Sequence, residues 1–167
     1  MTQAETFILR QQDWVPNNER PPVLLYRGAV KAEGRKAAEA FEQLFADHGW
    51  PPQWRGTVFD YHHYHSTAHE AIGVFAGFAT LQLGGPGGKS VDVQAGDALL
   101  LPVGIGHCRV AGSDDFQVVG AYPEGMNWDV CTEAPSADTR ARMKVLPLPH
   151  RDPVTGLPDP FEAAGGD

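Results

Sequence analysis

Within nine positions, the segment His62-His63-Tyr64-His65-Ser66-Thr67-Ala68-His69-Glu70 carries four histidines and a carboxylate. Imidazole and carboxylate are the ligands that borderline divalent metals prefer, so the segment reads first as a candidate for metal chemistry. On an extended strand successive side chains alternate faces. That rule sets Thr57, Phe59, Tyr61, His63 and His65 on one side, expected to be the interior, and Asp60, His62 and Tyr64 on the other. An HxH pair alone is weak evidence, because polar strands produce it by accident.

The elements that must position these residues are mostly strands. Short apolar runs at 5–10 and 22–27, bounded by Pro, Asn and Gly, predict two strands. Between Gly34 and Gly49 the period changes: Ala37, Ala40, Phe41, Leu44 and Phe45 recur at helical steps. Gly49 suits the left-handed position that ends such a helix, with Trp50 folding back over the last turn and Pro51-Pro52 preventing continuation. From Gly56 to Tyr122 the chain predicts consecutive strands at 57–65, 69–76, 78–83, 89–93, 98–102, 107–111 and 116–122, punctuated by Gly, Pro and Asp. So many short strands argue for an all-β sandwich or barrel. Beyond Pro135 the chain is rich in proline (147, 149, 153, 158, 160) and aperiodic, which suits either an arm packed on the barrel or a loose tail.

Bulk properties narrow the function classes. The 167 residues suffice for one domain with its own core, and 42% apolar content fits a packed globule. Acidic side chains outnumber basic ones 21 to 13, for a net charge of −8, so nucleic acid is not an expected partner. Neither a signal-peptide pattern nor a membrane-length apolar run stands out, and the expectation is a cytoplasmic protein without a membrane partner. Cys108 and Cys131 are too few for a disulfide framework and are expected to be reduced thiols.

A second cluster, Gly96 to His107, makes the pattern specific. His63, His65, Glu70 and Gly77 stand in the spacing of the first cupin motif, and Gly96, Pro102, Gly104 and His107 in that of the second. Ala111 occupies the position where the second motif usually ends in Asn. The chain therefore resembles the cupin superfamily, with germin-like spacing. The helix, Trp50, Trp54 and the run Tyr61 to Ser66 make it similar to the single-domain cupins of the YjlB type. The resemblance implies a double-stranded β-helix, or jelly-roll barrel, with one N-terminal α-helix. It divides one domain into strands and helix packed on the barrel (1–55), the barrel core (56–134) and a proline-rich arm (135–167). It also implies one divalent transition metal (Fe, Mn, Ni, Zn or Cu) held by His63, His65, Glu70 and His107. Such a shell leaves a position open for water or substrate, as metal catalysis requires. His69 is the rival for the carboxylate position.

Further roles follow from parity. Arg109 shares a face with His107, so its guanidinium is a candidate anion clamp beside the metal, against the alternative of a strand end at the solvent boundary. Tyr61 or Tyr122 is a candidate hydrogen-bond donor to substrate, or else pocket wall together with Phe59, Ile72 and Val74. His62 is expected on the outer face and Cys108 in the core. The reading is a metalloenzyme of dioxygenase or decarboxylase type acting on a small organic acid or related metabolite. Its alternatives are a small-ligand-binding or sensing cupin with a structural metal, and a metal-dependent isomerase. A homodimer is expected, because exposed strand edges need covering.

Overall fold

The computed structural model describes residues 3–158; the end of the arm, including Pro160, lies outside the described residues. The elements run β1 (Ala4–Leu9), β2 (Asn18–Tyr26), α1 (Gly34–Asp47), β3 (Pro52–Gly56), β4 (Glu70–Ala76), β5 (Phe78–Leu83), β6 (Lys89–Gln94), β7 (Ala98–Leu101), β8 (His107–Gly112), β9 (Gln117–Ala121) and α2 (Ala137–Val145). Nine antiparallel strands form a six-stranded sheet, ordered β1-β2-β7-β4-β9-β3, and a three-stranded sheet, ordered β6-β5-β8. This is the two-sheet cupin architecture that the motifs imply. The N-terminal strands β1 and β2 extend the larger sheet.

Two apolar layers hold the assembly. Between the sheets, Val23 and Leu25 of β2, Ile72 and Val74 of β4, Leu81 and Leu83 of β5, and Leu99 and Leu101 of β7 form the barrel core. The alternate residues Ala71, Phe75, Ala98, Leu100 and Val119 turn to the outer face and pack under α1 against Phe41 and Phe45. The central strands are thus covered on both faces, which accounts for their nearly continuous apolar sequence. Phe41 lies directly over Gly73, where a Cβ would fall 2.4 Å from its ring. Helix α1 ends as expected: Gly49 adopts φ 84°, its N–H bonds to Ala46, and the Trp50 N–H bonds back to Phe45.

Three differences from the sequence reading bear on the site. The strand expected at 57–65 is absent as a continuous element. Pairing with β9 is made by 52–56 instead, on a sheet edge where the missing N–H of Pro52 costs nothing. Residues 57–65 cross the barrel mouth with isolated bridges only, His63 to His107 and Tyr64 to Cys131; His63 and His65 share a side as expected, but Val58 enters the core while Phe59 and Tyr61 are exposed. A second helix, α2, is present, capped by the Ser136 hydroxyl accepting from the Thr139 N–H at 3.1 Å. None of its residues is buried, so it leaves no apolar periodicity to read. The arm is fastened to the body at residues 151–152: Trp50 Nε1 donates to the Arg151 carbonyl, and Tyr26 donates to the buried Asp152 at 2.5 Å.

Candidate metal centre

The two motifs meet through backbone pairing. His63 and His107 exchange both N–H to carbonyl bonds, at 3.2 and 2.9 Å, and the Gly104 N–H bonds to the His65 carbonyl at 2.8 Å. Gly77, Gly96 and Gly104 all hold φ between 71° and 101°, a left-handed conformation that side chains disfavour. Asn17 secures the approach to His107: its amide oxygen accepts from the Gly106 N–H while its amide nitrogen donates to the Gly84 carbonyl. Asp97, beside the motif glycine, is buried and structural, accepting from Gly28, Gln94 and Arg27.

This scaffold brings His63, His65 and His107 together, one ring nitrogen of each lying within 4.8 Å of the others. Each ring has its other nitrogen at a backbone carbonyl: His63 Nδ1 at Tyr61 (3.0 Å), His107 Nδ1 at Ile105 (3.0 Å) and His65 Nδ1 at Asp129. A carbonyl only accepts, so each Nδ1 carries the hydrogen and each Nε2 offers a lone pair. Ligand histidines are oriented in this way in metal sites generally.

Glu70 completes the cluster. Its Oε1 lies 3.4 Å from His65 Nε2 and 3.3 Å from His107 Nε2, and its Oε2 accepts from the Tyr122 hydroxyl at 2.6 Å. His65 Nε2 is buried without an aligned hydrogen bond despite the nearby carboxylate. With all three rings neutral, lone pairs and a carboxylate oxygen converge with no hydrogen to share, an arrangement that a cation in their midst would balance. Without an ion, the carboxylate favours a proton on His65 in its place. Burial, reinforced by His107, lowers the His63 imidazole to about 3. Burial also lowers His65, but the facing Glu70 outweighs it and leaves that ring above its ordinary value. Burial would raise the Glu70 carboxyl, yet His65 and His107 outweigh it and hold the group well below the usual carboxylate range. The donor set fits a divalent transition metal.

His69 is engaged elsewhere. Its Nδ1 accepts from the Val103 N–H at 3.0 Å and its Nε2 donates to the Pro147 carbonyl at 3.1 Å, tying motif two and the arm to β4. His62 is half-buried and Cys108 buried.

A cavity of about 330 Å³ opens onto the cluster, walled by Trp54, Val58, Phe59, Ile72, Tyr122, Trp128 and Val130. Trp54 lies flat on Gly120, which has no Cβ to obstruct it, and its indole N–H donates to the Tyr122 hydroxyl at 2.9 Å. The phenol therefore passes one hydrogen bond to Glu70 and receives one from Trp54. Arg109 and Tyr61 do not line this cavity. The Arg109 Nε donates to the Val58 carbonyl at 3.1 Å. Tyr61 is 44% exposed and stacks on Phe59 at the rim.

The sequence reading missed the loop after β9. Trp128 stacks on Tyr122 with ring centres 4.4 Å apart, Asp129 supplies the carbonyl that orients His65, and the Asp129 carboxylate accepts from the Ser66 N–H (2.7 Å) and Ser66 hydroxyl. The only signal in the sequence was an aromatic and acidic pair in an aperiodic stretch.

No protein-family model matches the sequence. The chain is 36% identical over 161 residues to YjlB of Bacillus subtilis strain 168, itself an uncharacterised protein, across 95% of this chain and 94% of YjlB. Among solved structures, Streptomyces albus HEPD with 2-hydroxyethylphosphonate and Fe(II) bound aligns at 11% identity and a TM-score of 0.29. That overlay spans 77% of this chain and 22% of the other, and is too distant to carry an argument.

Proposed function

The chain belongs to the same family as Bacillus subtilis YjlB, and from that premise we propose that it is a metal-binding cupin and a metalloenzyme of dioxygenase or decarboxylase type acting on a small molecule. The observation that carries this reading is the common orientation of the three histidines, each with Nδ1 at a backbone carbonyl and the three rings meeting within 4.8 Å, with Nε2 of His65 and His107 facing Glu70. His63, His65, Glu70 and His107 would hold one divalent transition metal, of the set Fe, Mn, Ni, Zn and Cu. Bound there, such an ion supplies Lewis acidity and, if redox-active, one-electron chemistry.

The chain's own residues do the rest. Tyr122 satisfies one oxygen of Glu70 and leaves the other for the cluster. The apolar walls limit water and strengthen every charge interaction inside. A structural metal site encloses its ion, whereas this cluster borders a cavity of about 330 Å³; that favours the enzyme over a purely structural metal. The outer edge of β1, the end strand of its sheet, supports a homodimer.

The test is elemental analysis of protein purified without chelator or metal-binding tag. About one transition metal per chain is expected, falling to background in the His65→Ala, His107→Ala double variant while circular dichroism shows the fold retained. Full occupancy in that variant would overturn the assignment.

A further inference from the structure

The polar groups of the cavity are distributed unevenly. At the inner end stand three imidazoles and a carboxylate, whereas the walls are Trp54, Val58, Phe59, Trp128 and Val130. No Lys or Arg lines the cavity among the described residues. The two polar handles on the walls are already engaged with each other, Trp54 donating to Tyr122 and Tyr122 to Glu70. Thr57 lines the mouth but is exposed there. Arg109, the one cation that parity suggested, is bound to the Val58 carbonyl outside the lining.

A ligand reaching the cluster therefore meets hydrogen-bonding or metal-bonding partners at one end only. A second carboxylate on the same molecule would sit against aromatic carbon, losing its hydration without a partner, which is costly. An apolar body gains contact there instead. Trp128 and Tyr122 lie parallel to within 6°, and Phe59 and Tyr61 to within 10°, so the mouth offers flat surfaces. Trp128 is still 39% exposed and Phe59 43%, leaving apolar surface for a ligand to cover. The volume suits a single ring with short substituents.

We propose that the site takes a small molecule with one oxygen-bearing end and a flat apolar body, held against Trp128, and discriminates against compact di- and tricarboxylates. The inference rests on the proposed metal site for the oxygen-bearing end and on the walls for the body. It narrows the small organic acid expected from the sequence to one without a second anionic end.

Two probes separate these contributions. Tropolone has adjacent oxygens on a flat ring, and acetohydroxamate presents a similar pair with almost no apolar body. Calorimetric titration into metal-loaded protein should show tropolone losing about tenfold in affinity on Trp128→Ala and recovering most of it in Trp128→Phe, while acetohydroxamate changes less than about twofold and oxalate, a compact dicarboxylate, binds more weakly than tropolone. In metal-free protein tropolone should bind more weakly yet still respond to Trp128→Ala. Equal effects of Trp128→Ala on tropolone and acetohydroxamate, or tropolone binding that ignores Trp128 altogether, would overturn the inference. Tropolone affinity that depends on Trp128 but is the same with and without metal would count against the metal reading and leave the apolar-body inference standing.

Discussion

Tyr122, just beyond the last barrel strand, donates its hydroxyl hydrogen to Glu70 Oε2 across 2.6 Å, and the same hydroxyl oxygen accepts from Trp54 Nε1 at 2.9 Å. Burial and the neighbouring Glu70 push the phenol far above its ordinary range, so it stays protonated and remains a donor. The wall of the cavity is in this way wired to the carboxylate at its floor.

Tyr122→Phe tests that link. The substitution removes the hydrogen that satisfies a fully buried carboxylate oxygen and strands the indole N–H of Trp54. A loss of about 1–3 kcal/mol is expected in urea unfolding of the metal-free protein. Metal affinity, measured by chelator competition, should fall roughly tenfold or more, the usual cost of removing a partner that orients a ligand. Unchanged values in both measurements would mean that Glu70 is held by packing alone.

Asp129→Asn tests the loop. The carboxylate accepts from both the backbone N–H and the hydroxyl of Ser66, next to His65, and these bonds outweigh burial to keep its acidity below the usual range. Asparagine retains one acceptor oxygen but loses the charge. Metal affinity should fall about tenfold, with only a small change in unfolding midpoint. Wild-type affinity would show that the Asp129 backbone carbonyl suffices to orient His65.

His69 gives a pH prediction. Burial lowers its imidazole from 6.5 to about 4 against the opposing bond to the Pro147 carbonyl, and protonating Nδ1 would in addition remove the acceptor for the Val103 N–H. Between those two values the unfolded chain binds a proton that the folded chain does not. The stability associated with neutral His69 is therefore complete above pH 6.5 and is lost as pH falls towards 4. The total is roughly 3 kcal/mol, at about 1.4 kcal/mol per pH unit. With chelator present, the urea midpoint of the wild type should drop more steeply between pH 7 and pH 4.5 than that of His69→Gln, which keeps an acceptor but cannot titrate. Parallel slopes would refute it.

Much of this was legible in the residues themselves. The motif glycines Gly77, Gly96 and Gly104 mark turns that need a left-handed backbone, and Gly49 with Trp50 marks the end of α1, because such positions are dictated locally by φ and by the absence of a Cβ. The spacing of His63, His65, Glu70 and His107 likewise singles out these four side chains in the sequence.

Other features were settled only by tertiary structure. Parity along 57–65 assumed a strand, but a strand exists only where a neighbour supplies its ladder, and β9 is paired by 52–56 instead. Arg109 was expected beside the metal because it shares parity with His107, but its Nε donates to the Val58 carbonyl, a partner 51 residues away that no local rule specifies. Tyr122 reaches Glu70 across 52 residues, and Asp129 reaches His65 across 64. Hydrogen bonds of such separation depend on which strands become neighbours, and that is decided by the packing of the whole sandwich rather than by any segment within it.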